Sequence, residues 1–379
     1  LGLLYASLGS LNMAELSQRI AEVPPTHLTL VKATLGLLLL VFCSKAALMP
    51  LYLWLPEAYA RAPAAVAALF AIMTKVGLYA VLRLWTLLFS GQAGASAHFG
   101  GEWLVYGGLA TLAVAAVSIL AAQRLERMAA LSILVSAGTL MAAIGFGQPI
   151  LTGSALFYLV SSTLALCALF LLAELIERSR SANEMPLDDG DDLLPRPMES
   201  LQPPKGINLD DEQKAVVGQV IPWTMAFLGL SFIACALLII GMPPLSGFIG
   251  KLGLLSALLN PEGLGEATDA PVSNAAWGLL ALLILSGMAS LMAFSRLGVQ
   301  RFWSPEERPS PLLRRFECIP IIALLGLSIA LTFKAEPLMR YTQAAAQALD
   351  NPQQYVMAVL GTRAVPSPEA QAAVVEVQP

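Results

Sequence analysis

Eight continuous apolar stretches, at residues 28–55, 64–90, 103–122, 128–147, 152–173, 221–259, 275–298 and 318–333, constrain this chain more than any other feature. A bilayer's hydrocarbon core is ~30 Å thick and takes roughly 20 apolar residues per helical crossing. Each stretch reaches or approaches that length, 318–333 being the shortest. The runs are unbroken, without the period-two alternation of barrel strands, and backbone in lipid must satisfy its hydrogen bonds internally. The expected fold class is an all-α integral membrane protein, a polytopic helical bundle. Composition agrees: hydrophobic residues are 57% and charged residues 13%, against roughly 45–50% and ~25% in soluble domains. A chain this apolar cannot cover itself with polar surface, which excludes a soluble enzyme and a disordered segment. With 22 basic against 26 acidic residues, a nucleic-acid-binding protein is excluded as well.

The stretches divide the chain into segments. Residues 1–27 read as the tail of a truncated transmembrane helix and an outer loop. Leu1 to Leu8 has no charged region, short apolar run and cleavage site in series, so it is not a signal peptide; earlier spans are expected to be missing. Residues 28–90 and 91–176 hold five spans. Residues 177–220 invert the composition, with ten acids from Glu177 to Glu212 against five bases, and five prolines between Ser181 and Gly206. That segment reads as an irregular acidic loop. Residues 221–298 and 299–339 carry the remaining spans, and 340–379 form a polar C-terminal tail whose Ala/Gln-rich beginning reads as helical. Lys and Arg counts on alternate sides, thirteen against five, place the acidic loop in the cytoplasm and the C-terminus outside.

Ionisable residues inside spans cost at least ~2.5–3.5 kcal/mol each on insertion scales, so each requires a reason. Lys32 and Arg83 lie near span ends and can snorkel. Lys45, Lys75 and Lys251 lie deeper. Lys75 is near the middle of 64–90, whereas Lys45 and Lys251 occupy two overlong spans interrupted by proline: Pro50 in the first, Pro243 and Pro244 in the second. Proline removes a backbone donor and clashes with the preceding turn, so both helices should break there. Lys45 precedes its break and Lys251 follows its own, the pattern an inverted-topology repeat produces, with both lysines near mid-bilayer depth. Burial penalises the ammonium form, which turns such a lysine from a fixed charge into a proton-loading group. Ser44, Thr74, Ser132, Ser136, Thr139, Ser161, Ser162, Thr163 and Ser246 are the small polar residues between them and point to a hydrated proton path. No carboxylate lies deep in a span; Glu57, Glu174 and Glu177 are at helix ends.

Cys43, Cys167, Cys235 and Cys318 fall singly in four spans without ligand spacing and read as packing residues. His27 and His98 read as surface residues. The six tryptophans lie near span ends, as interfacial anchors do. No metal centre and no cofactor is expected.

At three places the residues resemble a known family. Lys45-Ala46-Ala47-Leu48-Met49-Pro50 with Trp54-Leu55-Pro56-Glu57-Ala58 and Ala62-Pro63, then Met73-Thr74-Lys75-Val76-Gly77, then Gly241-Met242-Pro243-Pro244-Leu245-Ser246-Gly247-Phe248-Ile249-Gly250-Lys251 resemble the seventh, eighth and broken twelfth helices of the antiporter-like membrane subunits shared by Mrp-type cation/proton antiporters and respiratory complex I. The resemblance implies an inverted-repeat architecture of about fourteen helices with the first five and most of the sixth absent here. It also implies a glutamate on the fifth helix as partner of Lys45, Lys75 as central relay and Lys251 as terminal proton-loading group. Within the family, Lys251, Leu11-Asn12-Met13-Ala14-Glu15 and the acidic loop resemble the D-type subunits of Mrp antiporters. One departure stands out: beside Phe157-Tyr158-Leu159-Val160, where many relatives carry histidine, this chain has Ser161, Ser162 and Leu166.

The expected function is a proton-translocating subunit of a multisubunit monovalent cation (Na+ or K+)/proton antiporter in a bacterial inner membrane. Its expected partners are the other membrane subunits, protons, Na+ or K+ and the lipid bilayer, with no nucleic acid. The alternatives are an equivalent subunit of a redox-driven complex, an NADH:quinone oxidoreductase or membrane-bound hydrogenase, and a scaffold with an inert channel.

Overall fold

A computed structural model describes residues 1–91, 93–184, 223–260, 272–302 and 315–361. The described residues form helices α1 (Gly2–Leu8), α2 (Met13–Ala21), α3 (Pro25–Lys45), α4 (Trp54–Arg61), α5 (Ala64–Leu88), α6 (Gly101–Ala121), α7 (Leu125–Gly145), α8 (Pro149–Glu184), α9 (Trp223–Ile240), α10 (Ser246–Leu259), α11 (Asn274–Phe302), α12 (Arg315–Phe333), α13 (Ala335–Asp350) and α14 (Gln353–Leu360). Eight of them, α3, α5–α9, α11 and α12, are long and apolar enough to cross a membrane, the span of α6 being counted from the preceding 3-10 turn, and α10 is a shorter apolar helix.

Helix α7 is the core of the bundle: 94% of its apolar window is buried, against 17% for α12 at the periphery. Small residues bring α6 and α7 together. A Cβ on Gly138 would meet the Gly108 carbonyl at 2.9 Å, and one on Gly145 the Gly101 carbonyl at 2.8 Å, so the two backbones touch where only glycine fits.

Both overlong spans are broken. Helix α3 ends at Lys45 and the chain turns through 46–53, including Pro50, before α4. The freed Met49 N–H donates to the Thr111 hydroxyl of α6 at 2.8 Å, so a polar side chain at the centre of a neighbouring span takes over what the helix gave up. The second break lies between α9 and α10 at Gly241, Pro243 and Pro244. There the Gly241 and Met242 N–H groups both return to the Leu237 carbonyl at 3.0 Å, and Gly241 has φ 79°.

Several sequence expectations are corrected. In the segment 1–27, the stretch expected as an outer loop holds a second helix, α2, capped by the Asn12 side chain accepting from the Ala14 N–H at 3.0 Å. Helix α8 continues to Glu184, past the expected start of the acidic loop at 177; the rest of that loop lies outside the described residues, as do 303–314 and 362–379. The helix expected at the Ala/Gln-rich beginning of the tail is α13, which starts earlier, at Ala335, and a further helix, α14, follows it; they pack against α8 and α2. Trp85 is no interfacial anchor: it is buried, with its indole N–H donating to the Phe99 carbonyl at 3.1 Å.

Ion pairs tie one end of the bundle. The Ala64 N–H donates to Glu174 at 2.9 Å, Arg301 pairs with Glu177 at 3.2 Å, and Arg178 pairs with Glu317 at 2.5 Å. At the opposite end the Arg83 guanidinium lies 4.2 Å from the centre of the Tyr355 ring, and Lys32 stacks over Phe99 at 5.4 Å.

Candidate functional site

Lys251 lies in the second turn of α10, and its stem turns back across the break to the end of α9. Its Nζ donates to the Ile240 carbonyl at 2.7 Å and the Ile239 carbonyl at 3.1 Å. These carbonyls have lost their helical donors at a C-terminus, where the helix dipole favours a cation. The side chain is buried. A Cβ on Gly287, near the centre of α11, would meet the Ile240 carbonyl at 3.6 Å, which sets the ammonium at mid-helix depth. Lys251 also lines an apolar groove of about 250 Å³ between α10 and α11, whose Leu252, Ile284 and Met288 are about half exposed.

Lys75 occupies the centre of α5 and is 3% exposed. Its ammonium donates to the Ser136 hydroxyl at the centre of α7, and Ser136 in turn donates to the Ile133 carbonyl at 2.9 Å. One residue earlier, Thr74 shares a 2.6 Å hydrogen bond with the Tyr59 hydroxyl of α4, and Tyr59 also reaches the Phe70 carbonyl at 2.8 Å. Tyr59 thus fixes the helix after the first break against the lysine-bearing helix.

Lys45 departs from the expected burial. It is the last residue of α3 and its side chain is exposed, with no hydrogen bond or ion pair among the described residues. Its backbone packs at mid-bundle depth, since a Cβ on Gly77 in α5 would meet Lys45 Cβ at 3.3 Å. The exposure follows from helix facing: Leu37, Leu40 and Val41, on the turns before it, are also more than half exposed, so that face of α3 has no neighbour among the described residues.

The hydroxyls separate into two kinds. Ser161 and Ser246, both fully buried, hydrogen-bond each other at 2.9 Å and join α8 to the start of α10. Thr74 and Ser136 likewise bond across elements. Ser44, Ser132, Thr139, Ser162 and Thr163 donate to carbonyls of their own helices, at Val41, Met128, Val135, Leu159 and Leu159. Among the described residues, direct hydrogen bonds therefore do not link the three lysines, and a proton path through all three would require water. Thr111 and Tyr59 do not stand out in the sequence, because a hydroxyl in an apolar span carries no mark of the partner it will meet. Among the described residues, no group of His, Cys, Asp and Glu is placed to hold a metal ion.

Residues 1–196 match the family described as "NADH:quinone oxidoreductase/Mrp antiporter, TM". A Rhizobium meliloti protein, named as the D-type subunit of a probable K(+)/H(+) antiporter, is 46% identical over 347 residues, 92% of this chain and 62% of that protein. A Bacillus subtilis protein, named as the D-type subunit of a Na(+)/H(+) antiporter, is 31% identical over 364 residues, 95% of this chain and 64% of that protein. The fold is similar to a chain of the Mrp complex from Dietzia sp., at TM-score 0.69 and 21% identity, covering 95% of this chain and 66% of that one. It is similar too to a chain of respiratory complex I from Thermus thermophilus with bound NADH, at TM-score 0.60 and 19% identity, covering 92% and 66%. This chain thus spans a little under two thirds of the length of these curated relatives.

Proposed function

The chain belongs to the NADH:quinone oxidoreductase/Mrp antiporter membrane-subunit family, and from that premise we propose that it is a proton-translocating subunit of a multisubunit monovalent cation/proton antiporter exchanging Na+ or K+. Lys45, Lys75 and Lys251 are its proton-relay sites. One observation carries the reading: Lys75 and Lys251 are buried at the centres of a membrane bundle, and the acceptors they meet are a hydroxyl and two carbonyls rather than a carboxylate. A carboxylate would pin the ammonium in a fixed ion pair; a hydroxyl and carbonyls hold the nitrogen in place without a counter-charge, which is what a relay site needs. Relatives named as antiporter subunits favour ion exchange over the redox-driven alternative.

Lys45 takes its acidic partner from outside the described residues, consistent with the glutamate the resemblance implies, because an ammonium in an apolar face needs either a carboxylate or water. The complex sits in a bacterial inner membrane, with the acidic segment 177–220 cytoplasmic and the C-terminus outside. Its partners are the other membrane subunits.

The test uses the whole complex in sealed vesicles. Addition of Na+ or K+ should dissipate an imposed pH gradient, and Lys251→Ala or Lys75→Ala should cut that exchange at least tenfold while the complex still assembles. Unchanged exchange in an assembled Lys251→Ala complex would sink the reading and leave an inert scaffold. NADH-linked quinone reduction copurifying with the complex, with no cation-dependent exchange, would favour the redox alternative.

A further inference from the structure

Lys251 has two hydrogen-bond acceptors, and the number matters. An ammonium carries three N–H donors and its neutral amine two. The Ile239 and Ile240 carbonyls take two, which leaves one N–H of the ammonium, and none of the amine, to find another partner. The stem reaches these carbonyls by crossing Gly241. A Cβ there would lie 2.6 Å from Lys251 Cδ and 3.2 Å from Cε, and the next atom met, the Gly247 carbonyl oxygen, is at an ordinary 3.4 Å.

We infer that the broken helix end is a cradle that holds Lys251 in both of its protonation states, and that Gly241 is a positioning residue whose missing side chain lets the lysine reach it. The inference rests on the proton-relay reading of Lys251. In the transfer, the third N–H bond breaks, its electron pair stays on nitrogen, and the proton passes to the oxygen of a water molecule. The two carbonyl bonds persist, so the nitrogen does not move between loading and release. Reloading reverses the step along the same line. Placing the nitrogen elsewhere loses one or both carbonyls and changes the path to that water.

Gly241 also has φ 79°, so an alanine there combines two effects, backbone strain and obstruction of the stem. Asparagine separates them, because it tolerates positive φ but keeps the Cβ. Gly241→Ala and Gly241→Asn should be made in the complete antiporter complex, with assembled complex quantified and exchange measured across cation concentrations. Both variants should assemble, since the obstructed atoms are the flexible outer part of a lysine. Both should lose at least tenfold in turnover with the cation KM unchanged. In a Lys251→Ala background, the Tm loss caused by Gly241→Ala should shrink because the obstruction is gone.

Wild-type turnover in Gly241→Asn would overturn the inference and leave only a backbone requirement. A Tm loss undiminished by Lys251→Ala, or failure of both glycine variants to assemble, would equally overturn it, by showing that the added Cβ meets something other than the lysine. If Lys251→Ala itself exchanges normally, the relay reading fails. If Lys251→Ala is inactive while Gly241→Asn is normal, only the cradle fails.

Discussion

At the scale of single residues, two serines one helical turn apart on α7 have different fates. The Ser136 hydroxyl accepts from Lys75, whereas Ser132 donates only to Met128 of its own helix at 2.8 Å. A hydrogen bond to a charged group is worth about 1.5–3 kcal/mol, so Ser136→Ala should lower stability by roughly that much and reduce proton exchange severalfold. Ser132→Ala should change both by far less, since a hydroxyl returned to its own backbone is worth little. Thermal unfolding of the purified complex and vesicle exchange measure the pair; equal effects would mean that Lys75 does not depend on Ser136. The lysines themselves are legible in the sequence because an ammonium in an apolar run is too costly to be incidental. Their partners are not, because Ser136 is brought to Lys75 by packing between distant spans, and the Ile239 and Ile240 carbonyls meet Lys251 only through the fold-back of α10 on α9 at the break. The exposure of Lys45 escapes the sequence for a related reason: sequence gives depth along a helix, not which face a neighbour covers.

Single elements show how helix ends are completed across the chain. Helix α5 begins after Pro63, which offers no side-chain cap, and its Ala64 N–H is taken by Glu174 of α8. Loss of a capping acceptor costs typically about 1 kcal/mol, so Glu174→Ala should destabilise by about that amount, read as a lower Tm, while Glu57→Ala, a change in an exposed pair with Arg61, should have a smaller effect. In α2 the Ser10 hydroxyl donates to Glu15 at 2.5 Å, and that bond, with the pair to Arg19, holds the Glu15 carboxyl below its ordinary value of 4.5. A carboxylate lowered in the folded state contributes stability above its unfolded value, lost as pH falls through the folded one. Amide exchange across Met13–Ala21 should therefore accelerate relative to other helices between neutral pH and about pH 3, and Glu15→Gln should remove the dependence. Both proline breaks are legible, since proline's missing donor is a local fact. The helices of the C-terminal segment are only half legible: α13 is polar enough to read as part of a tail, α14 is short, and what orders them is the surface of α8 and the Arg83–Tyr355 contact.

For the whole molecule, the eight-span bundle is legible because bilayer thickness imposes one length on every crossing, but the pairing of its ends is not. The salt bridges of Glu177 and Arg178 gather at the end where α8 leads into the acidic segment. Helices α13 and α14 pack at the other, beside the start of α8 and against α2: a Cβ on Gly153 would meet Gln343 Cα at 2.9 Å. Between residues 191 and 357 lie three crossings if the broken α9–α10 pair counts as one, followed by α11 and α12. An odd number puts the two positions on opposite faces; a broken pair that enters and returns would put them on the same face. The four native cysteines are buried, so a thiol reagent that cannot cross lipid has little background. Asp191→Cys and Met357→Cys, the latter at a position 69% exposed, should react from opposite sides of sealed vesicles. Asp191→Cys should react from the cytoplasmic face, because the thirteen-to-five excess of Lys and Arg lies on that side. Reaction of both from one face would mean that the two halves of the break enter and return rather than form one crossing, which would overturn the inverted-repeat arrangement expected for the broken span. Opposite faces in the reverse order would keep the crossing and the lysine's depth, and would overturn only the direction in which the charge excess points.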